Sequence, residues 1–186
     1  MPELTIHLNA RIMPMERGSQ FEDPLLEVLE QRFPGTEWTG AGTQTNESGE
    51  PVSCDIVVDV PRRHTKEILS VVADLLTALG APKGSWAGFG KKRNTVAFGE
   101  LEGAQLRVDV AGAKAADSPQ ELFEELLASA EVAISPASSW TSAWESKDWL
   151  TLSYYGRSGA ELLRVADEVI PTLGLARFTR AQQLVT

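Results

Sequence analysis

The sequence predicts an α+β fold that repeats one βαββαβ unit, with antiparallel sheets and helices on one face of each sheet. The main observation is internal similarity, because residues 66–80 (KEILSVVADLLTALG) match residues 160–174 (AELLRVADEVIPTLG) 94 positions later. The strand-like residues 56–60 precede the first segment and match residues 150–154 at the same offset. A chain of 186 residues, 42% of them hydrophobic, is long enough for two such units.

The first copy begins with a strand and a helix. Leu4, Ile6 and Leu8 alternate with polar residues, which is typical of a half-buried strand. Asp23 and Pro24 combine a capping residue with a first-turn proline, so we expect a helix to start there. The apolar face of this helix consists of Leu25, Leu26, Val28, Leu29 and Phe33.

Two strands, a second helix and a last strand complete the first copy. Runs of β-prone residues separated by a Gly- and Ser-rich stretch predict a hairpin, and a glycine without a Cβ suits the end of the helix after it. The predicted elements are strands at residues 37–45 and 52–60, a helix at residues 66–79 closed by Gly80, and a strand at residues 85–89.

The second copy repeats this order. Its first strand is predicted from the alternation of Leu106, Val108 and Val110, and its first helix from the pair Ser118 and Pro119. The apolar face of that helix consists of Leu122, Phe123, Leu126 and Leu127. The copy is predicted to end with a strand between residues 177 and 185.

These assignments predict two repeats, residues 1–90 and 91–186. Residues 90–100 are interpreted as the linker, which is too short for independent tumbling, so we expect the repeats to pack together as one compact unit. Leu69 and Leu163 occupy equivalent positions of the matching helices. We expect both to be buried under their sheets.

The element order resembles the ferredoxin-like split βαβ topology in tandem, and the resemblance covers nearly the whole chain. In such a unit, helices cover one face of the sheet and leave the other open or covered by a neighbour. This topology hosts many unrelated functions, so the resemblance implies a fold and no particular chemistry.

Composition excludes several classes of function. The chain carries 17 Lys and Arg against 26 Asp and Glu, a net charge of -9, so nucleic acid is not an expected partner. No apolar run is long enough to span a bilayer and residues 1–10 do not resemble a signal peptide, so we expect a soluble, cytoplasmic protein without a membrane partner. A single cysteine, Cys54, and two histidines do not suit structural metal sites, and no cofactor is predicted.

The first candidate site lies on the open face of the first sheet. Strand alternation places His7 near Asp55 or Asp59, because the first and third strands of this topology are neighbours. A carboxylate can orient and charge an imidazole for acid-base chemistry. The alternative, which we favour, is a cross-strand ion pair on the surface. The same face carries Thr5, Asn9 and Val57.

The corresponding face of the second copy is predicted to be a polar and aromatic surface. It carries Arg107, Asp109, Trp149, Thr151, Ser153 and Tyr155. Tryptophan and tyrosine are common at binding hot spots, and Trp38, Trp140 and Trp144 also fall in the central hairpins. The alternative is that these aromatic residues fill the seam between the repeats.

Two basic clusters stand out against the acidic background. Arg62 and Arg63, followed by His64 and Lys66, lie at a predicted helix N-terminus, where an anion is favoured, although a solvated loop is the simpler interpretation. Lys91, Lys92 and Arg93 are interpreted as part of the solvated linker.

The preferred functional hypothesis is a non-catalytic binding protein. An acidic, Trp-rich surface suits an immunity-type inhibitor that binds a basic protein partner, with charge steering the association. Its predicted contact residues are Trp144, Glu145, Asp148, Trp149 and Tyr155, to which the binding candidates His7, Asp55, Asp59, Arg62 and Arg63 are added.

Two alternatives remain open. One is a small-molecule sensor with its ligand between the repeats. The other is a cofactor-free enzyme that uses His7 with Asp55 or Asp59. No metal ligands and no catalytic set are assigned.

Overall fold

The computed structural model describes residues 1–90, 94–109, 124, 128, 130, 132–173 and 179–184. The chain divides into an N-terminal unit, Met1–Glu100, and a C-terminal unit, Leu101–Thr186. Each unit contains one antiparallel sheet, and apolar side chains on one face of the sheet pack against helices.

The sheet of the N-terminal unit has five strands in the order β2-β3-β1-β4-β5. Strand alternation directs Leu4, Ile6 and Ile56 to the helix face, where all three are fully buried. The strands are β1 (Glu3–Leu8), β2 (Glu37–Thr45), β3 (Pro51–Asp59), β4 (Ser85–Phe89) and β5 (Asn94–Phe98).

Three helices cover that face: α1 (Pro14–Arg17), α2 (Asp23–Arg32) and α3 (Thr65–Ala78). Helices α2 and α3 contribute apolar side chains to the core at helical spacing, so burial of one apolar stripe stabilises each of them against the sheet. The fully buried members are Leu25, Leu29, Ile68, Val72 and Leu76, and Phe21 of the segment between α1 and α2 is buried with them.

The α-helix predicted to begin at Asp23 and Pro24 begins at Asp23 as α2, but helical backbone already precedes it. A π-helical turn, Gly18–Glu22, joins α1 to α2, and the Asp23 amide donates to the Gly18 carbonyl. Pro24 has no N–H, and a wide turn before it accommodates the hydrogen bond that a proline removes from a helix. Asp23 and Pro24 thus mark the start of α2 without a break in the helical backbone before it.

Strand β5 lies within residues 90–100, which were predicted to be a linker. It pairs antiparallel with β4 and forms one edge of the sheet. Gly90, with a φ of 66°, adopts the left-handed conformation that glycine tolerates at a turn. The basic run of residues 91–93, which lies outside the described residues, favoured the linker interpretation over the β-prone residues that follow it.

The C-terminal unit has four strands in the order β7-β8-β6-β9. Its helix α4 begins after Ser158, whose side chain accepts a hydrogen bond from the Glu161 amide and so caps the helix. The elements are β6 (Glu102–Asp109), β7 (Trp140–Glu145), β8 (Trp149–Gly156), α4 (Gly159–Val169) and β9 (Thr179–Gln183).

The first helix predicted for the second copy lies outside the described residues, except for a few positions near its end. Those positions include the buried side chains of Ala130 and Ile134. Both belong to the core cluster that contains Leu106, Leu152 and Leu162.

Leu69 and Leu163 are only half-buried, so the prediction that they anchor the helices is wrong by one position. The fully buried equivalents are Ile68, at 0% exposure, and Leu162, at 1%. Leu69 instead lines an open groove between α3 and β5. Ile68 and Leu162 match at the same 94-residue offset, so the repeat was aligned correctly and the face of the helix was misassigned.

The ferredoxin-like topology is confirmed in both units. In each sheet, the unit's first strand lies between its third and fourth strands, and its second strand pairs with the third. The N-terminal unit adds β5 outside β4. The chain is thus an α+β protein made of two ferredoxin-like units.

Candidate functional site

One row of side chains crosses all four strands of the C-terminal sheet on the face away from α4. Strand alternation directs Leu106 and Val108 to the core and Arg107 to the opposite face. Arg107 pairs with Thr151 of β8 on one side and with Arg180 of β9 on the other, while Trp144 of β7 pairs with Thr151. We call Trp144, Thr151, Arg107 and Arg180 the arginine row.

This face is largely buried, although the sequence predicted an exposed polar and aromatic surface. Thr151 and Tyr155 are each 1% exposed, and Gln105 is 2% exposed. Several of these side chains contact one another, as Gln182 Nε2 does when it donates to Gln105 Oε1 at 2.6 Å. Buried polar groups usually form hydrogen bonds with one another or with the backbone. The alternation of polar and apolar residues along a strand therefore does not distinguish a buried polar face from a solvated one.

Arg107 has no anionic partner in the described part of the chain. Its guanidinium carbon lies 4.4 Å from the centroid of the Trp149 ring, which is a cation-π contact. No hydrogen bond or ion pair joins Arg107 to another described residue, and its buried Nε atom lacks an acceptor. A buried donor without a partner costs free energy, so this atom needs an explanation.

Thr151, on the neighbouring strand, has a second buried atom without a partner in the described ranges. Its Oγ1 is buried and has no hydrogen-bond partner among the described residues. Thr151 is the direct cross-strand neighbour of Arg107. The two unsatisfied atoms therefore lie on adjacent strands of the same face.

Arg180 adds a second positive charge to the same row. It lies directly opposite Arg107 on β9, and no ion pair with a described residue neutralises it. Like charges in direct cross-strand positions destabilise a sheet. Exposure increases along the row, from buried Thr151 to half-buried Arg107 to exposed Arg180.

The arginine row has the chemistry of an anion site. A guanidinium donates planar, charge-assisted hydrogen bonds to carboxylate or phosphate oxygens, and a threonine hydroxyl can donate another. One anion would accept hydrogen bonds from both atoms that lack partners. Its negative charge would also offset the repulsion between Arg107 and Arg180. The sequence analysis named Arg107 and Thr151 as face residues, but it missed Arg180.

A second polar arrangement lies on the open face of the N-terminal sheet. His7 Nδ1 is 2.7 Å from Asp55 Oδ1, which is one of the two pairings that the sequence predicted. Gln44 Nε2 donates to the other carboxylate oxygen at 3.2 Å. The Trp86 ring stacks on the imidazole, with centroids 5.5 Å apart and planes inclined by 20°. We call these four residues the imidazole site.

Asp59 does not join the imidazole site. The register pairs it with Glu3 of β1 and with Glu37 of β2, so it belongs to an acidic row. Sequence reasoning missed Gln44 and Trp86. Trp86 pairs with His7 across β1 and β4, and a prediction of that register would have identified it.

Four of the other predicted contact residues, Trp144, Glu145, Asp148 and Trp149, lie at the turn between β7 and β8, and Tyr155 lies farther along β8. Glu145 is exposed, and Asp148 lies 3.8 Å from Lys147. Trp149 contacts Arg107, whereas Tyr155 is buried and stacks on Trp140 with ring centroids 4.1 Å apart. Tyr155 therefore takes no part in an exposed aromatic surface.

Arg62 and Arg63 are exposed in a short 3-10 turn before α3. Arg63 Nε donates to His64 Nε2 at 2.9 Å, and His64 Nδ1 lies 3.9 Å from Glu67. The cluster is thus linked internally rather than directed at one point.

The described residues contain neither a metal-binding cluster nor a membrane-spanning helix. No group of three or more His, Cys, Asp or Glu side chains in this part of the chain is arranged to hold a metal ion. None of the described helices has the length and apolar composition needed to cross a membrane.

The sequence matches no protein-family model and no curated protein. Solved structures with a similar chain path include a protein assigned as a glycine cleavage system transcriptional repressor, with 11% identity, a TM-score of 0.30, and coverage of 100% of this chain and 98% of that one. The regulatory subunit of aspartate kinase from Thermus thermophilus, in its ligand-free form, has 12% identity and a TM-score of 0.29, with coverage of 90% and 93%.

A protein assigned as a monooxygenase from Lactobacillus acidophilus NCFM has 12% identity and a TM-score of 0.32, with coverage of 100% and 94%. Similarity at this level carries no argument about function. The strand order of this chain itself shows the ferredoxin-like fold.

Proposed function

We propose that this protein is a small-molecule-binding module of the sensor type, and that its C-terminal unit binds a small organic anion at the arginine row. The observation that carries the proposal is that two direct cross-strand neighbours each have a buried atom without a partner among the described residues, Arg107 Nε and Thr151 Oγ1. An anionic oxygen placed between them would accept from both. Such a ligand removes two desolvation penalties in one step.

Charge supports an anion over a neutral ligand. Arg107 and Arg180 are direct cross-strand neighbours, so the row carries two positive charges that repel each other in the ligand-free protein. A carboxylate or a phosphate would neutralise this repulsion. Both groups share the required chemistry, and the experiment below distinguishes them.

The surroundings of the row support an organic ligand. Trp149 lies against the guanidinium of Arg107, and Trp144 pairs with Thr151 at the far end of the row. Indole rings favour contact with the carbon atoms of a ligand. Arg180 is exposed on the edge strand β9, so a ligand can approach the row from that side. We therefore expect a compact molecule with an anionic head and an apolar body.

These contacts favour a small molecule over a basic protein partner. Trp149 is already engaged by Arg107, and Tyr155 is buried at 1% exposure, so neither is free to act as an exposed anchor. Arg107 also adds a positive charge to the face that an immunity-type inhibitor would present. A basic partner would be repelled there.

The test is a thermal melting series with defined anions. Succinate, citrate and inorganic phosphate are titrated separately, and succinamide serves as the uncharged counterpart of succinate. Because a ligand that binds only the folded state stabilises it by mass action, we expect a saturable rise in Tm with at least one anion and none with succinamide. The ranking of the three anions distinguishes carboxylate from phosphate.

Matched arginine variants locate the effect. Arg107→Gln should abolish the rise in Tm, and Arg157→Gln, which removes the same charge from an exposed loop position, should retain it. An equal rise in both variants would assign the effect to general salt stabilisation and overturn the proposal. So would a series in which no anion raises the Tm of the wild-type protein.

A further inference from the structure

We infer that the imidazole site is a second, independent ligand site, at which His7 Nε2 acts as a base toward a planar, weakly acidic ligand such as a phenol. The inference rests on the arrangement of His7, Asp55, Gln44 and Trp86 in the N-terminal unit. It does not depend on the anion site of the C-terminal unit.

Asp55 determines which imidazole nitrogen is available. A carboxylate can only accept hydrogen bonds, so the 2.7 Å contact with His7 Nδ1 places the proton on Nδ1. Nε2 then carries the lone pair. Within the described residues, no side chain or backbone group donates to Nε2, and the His7 side chain keeps 20% of its exposure.

Gln44 and Trp86 hold this arrangement in place. Gln44 occupies the second oxygen of Asp55, so the carboxylate cannot rotate without losing a hydrogen bond. The Trp86 ring lies 20° from the plane of the imidazole and restricts its tilt. An imidazole oriented by a carboxylate, with its other nitrogen accessible, is the arrangement that general-base chemistry requires.

The neighbouring sheet surface is open at Gly42. In the same row, Gly42 of β2 lies opposite Asp55, and no atom outside its immediate neighbours comes within 4 Å of the position that its Cβ would occupy. Glycine weakens a strand interior and often marks close approach by a ligand. Together with the Trp86 ring, this surface suits a planar molecule.

The proton transfer is balanced within the site. The O–H bond of the ligand breaks as an N–H bond forms at Nε2, which leaves a ligand anion beside an imidazolium. The carboxylate of Asp55 stabilises the imidazolium through the hydrogen bond to Nδ1. Return of the proton regenerates the neutral ring, so no other reactant is needed.

The first test compares the two histidines of the chain by reaction with diethyl pyrocarbonate, which modifies unprotonated imidazole nitrogen. His64 is an internal reference because its Nε2 already accepts from Arg63. Peptide mass spectrometry should show faster modification of His7. Asp55→Asn should slow the modification of His7 roughly tenfold, because an amide no longer fixes the proton on Nδ1 and the tautomer protonated at Nε2 becomes available. Asp59→Asn should leave the rate of His7 modification unchanged.

The second test asks whether the site takes a ligand with an acidic proton. Phenol should protect His7 from modification in a saturable manner, and anisole, its methyl ether, should not. Trp86→Leu should lose this protection, and Trp86→Phe, which keeps an aromatic ring, should retain most of it.

Three results would overturn the inference: modification of His64 at least as fast as that of His7, a His7 rate unaffected by Asp55→Asn, or equal protection by phenol and anisole. None of them bears on the response of the arginine row to anions. The two proposals therefore stand or fall separately.

Discussion

Arg107 and Arg180 lie directly opposite each other on β6 and β9, and neither forms an ion pair with a described residue. Two positive charges in a non-neutralised cross-strand pair reduce the stability of the sheet that contains them. The ligand-free protein therefore retains an unfavourable term that binding of an anion would remove. This relationship leads to measurable consequences for stability.

Arg180→Gln should stabilise the ligand-free protein. Removing one of two like charges should raise the free energy of unfolding by about 0.2–1 kcal/mol at low salt, and less as salt screens the repulsion. Urea unfolding at two salt concentrations measures both effects. A loss of stability at low salt would show that Arg180 has a favourable partner.

Thr151→Val should separate stability from binding. The substitution removes a buried hydroxyl that has no partner and keeps the shape of the side chain, so the ligand-free protein should gain about 1 kcal/mol. The same variant should show a smaller rise in Tm with the anion that stabilises the wild type best. If its response to that anion were unchanged, Thr151 would have no part in binding.

Ile68→Ala and Leu69→Ala should differ sharply, although the two residues are adjacent. Ile68 is fully buried, and its truncation should cost about 2–5 kcal/mol through lost burial and a cavity. Leu69 is half-buried beside an open groove, so its truncation should cost less. Chemical denaturation of both variants checks the order, and equal losses would contradict the assigned helix face.

Cys54 should make the protein less stable in alkaline solution. Burial raises the pKa of its thiol from 9.0 to about 12 in the folded chain, so the unfolded chain loses this proton at a lower pH. Its contribution to stability is present below pH 9.0 and is lost as the pH rises toward about 12. The free energy of unfolding, measured across this pH range, should fall more steeply with pH for the wild type than for Cys54→Ala.

The fold could be predicted because the sequence contains an internal repeat, so each copy supports the assignment of the other. The match between residues 66–80 and 160–174 aligned two helices, and the strand ranges 37–45 and 85–89 agree with β2 and β4. The errors arose where a local signal had two meanings. Pro24 lies in the first turn of α2 as predicted, but the π turn before it extends the helical backbone upstream, and a basic run can precede a strand as well as form a linker.

The candidate sites were only partly predictable for a different reason. His7 and Asp55 could be paired because the topology makes β1 and β3 neighbours. The pairing of Arg107 with Arg180 depends on the register of β9 against β6, which the intervening sequence does not determine. The burial of Thr151 could not be predicted either, because a polar residue in a strand of alternating polar and apolar residues is usually exposed.

Strand β5 makes the two halves of this duplicated chain non-equivalent during folding. A protein with two copies of one topology risks misassembly, in which a strand of one copy takes the place of its counterpart in the other. In the N-terminal unit both edges of β4 are paired, one with β1 and the other with β5. Since β5 emerges from the ribosome before β6, β5 can occupy the outer edge of β4 before any strand of the second copy is available to pair there.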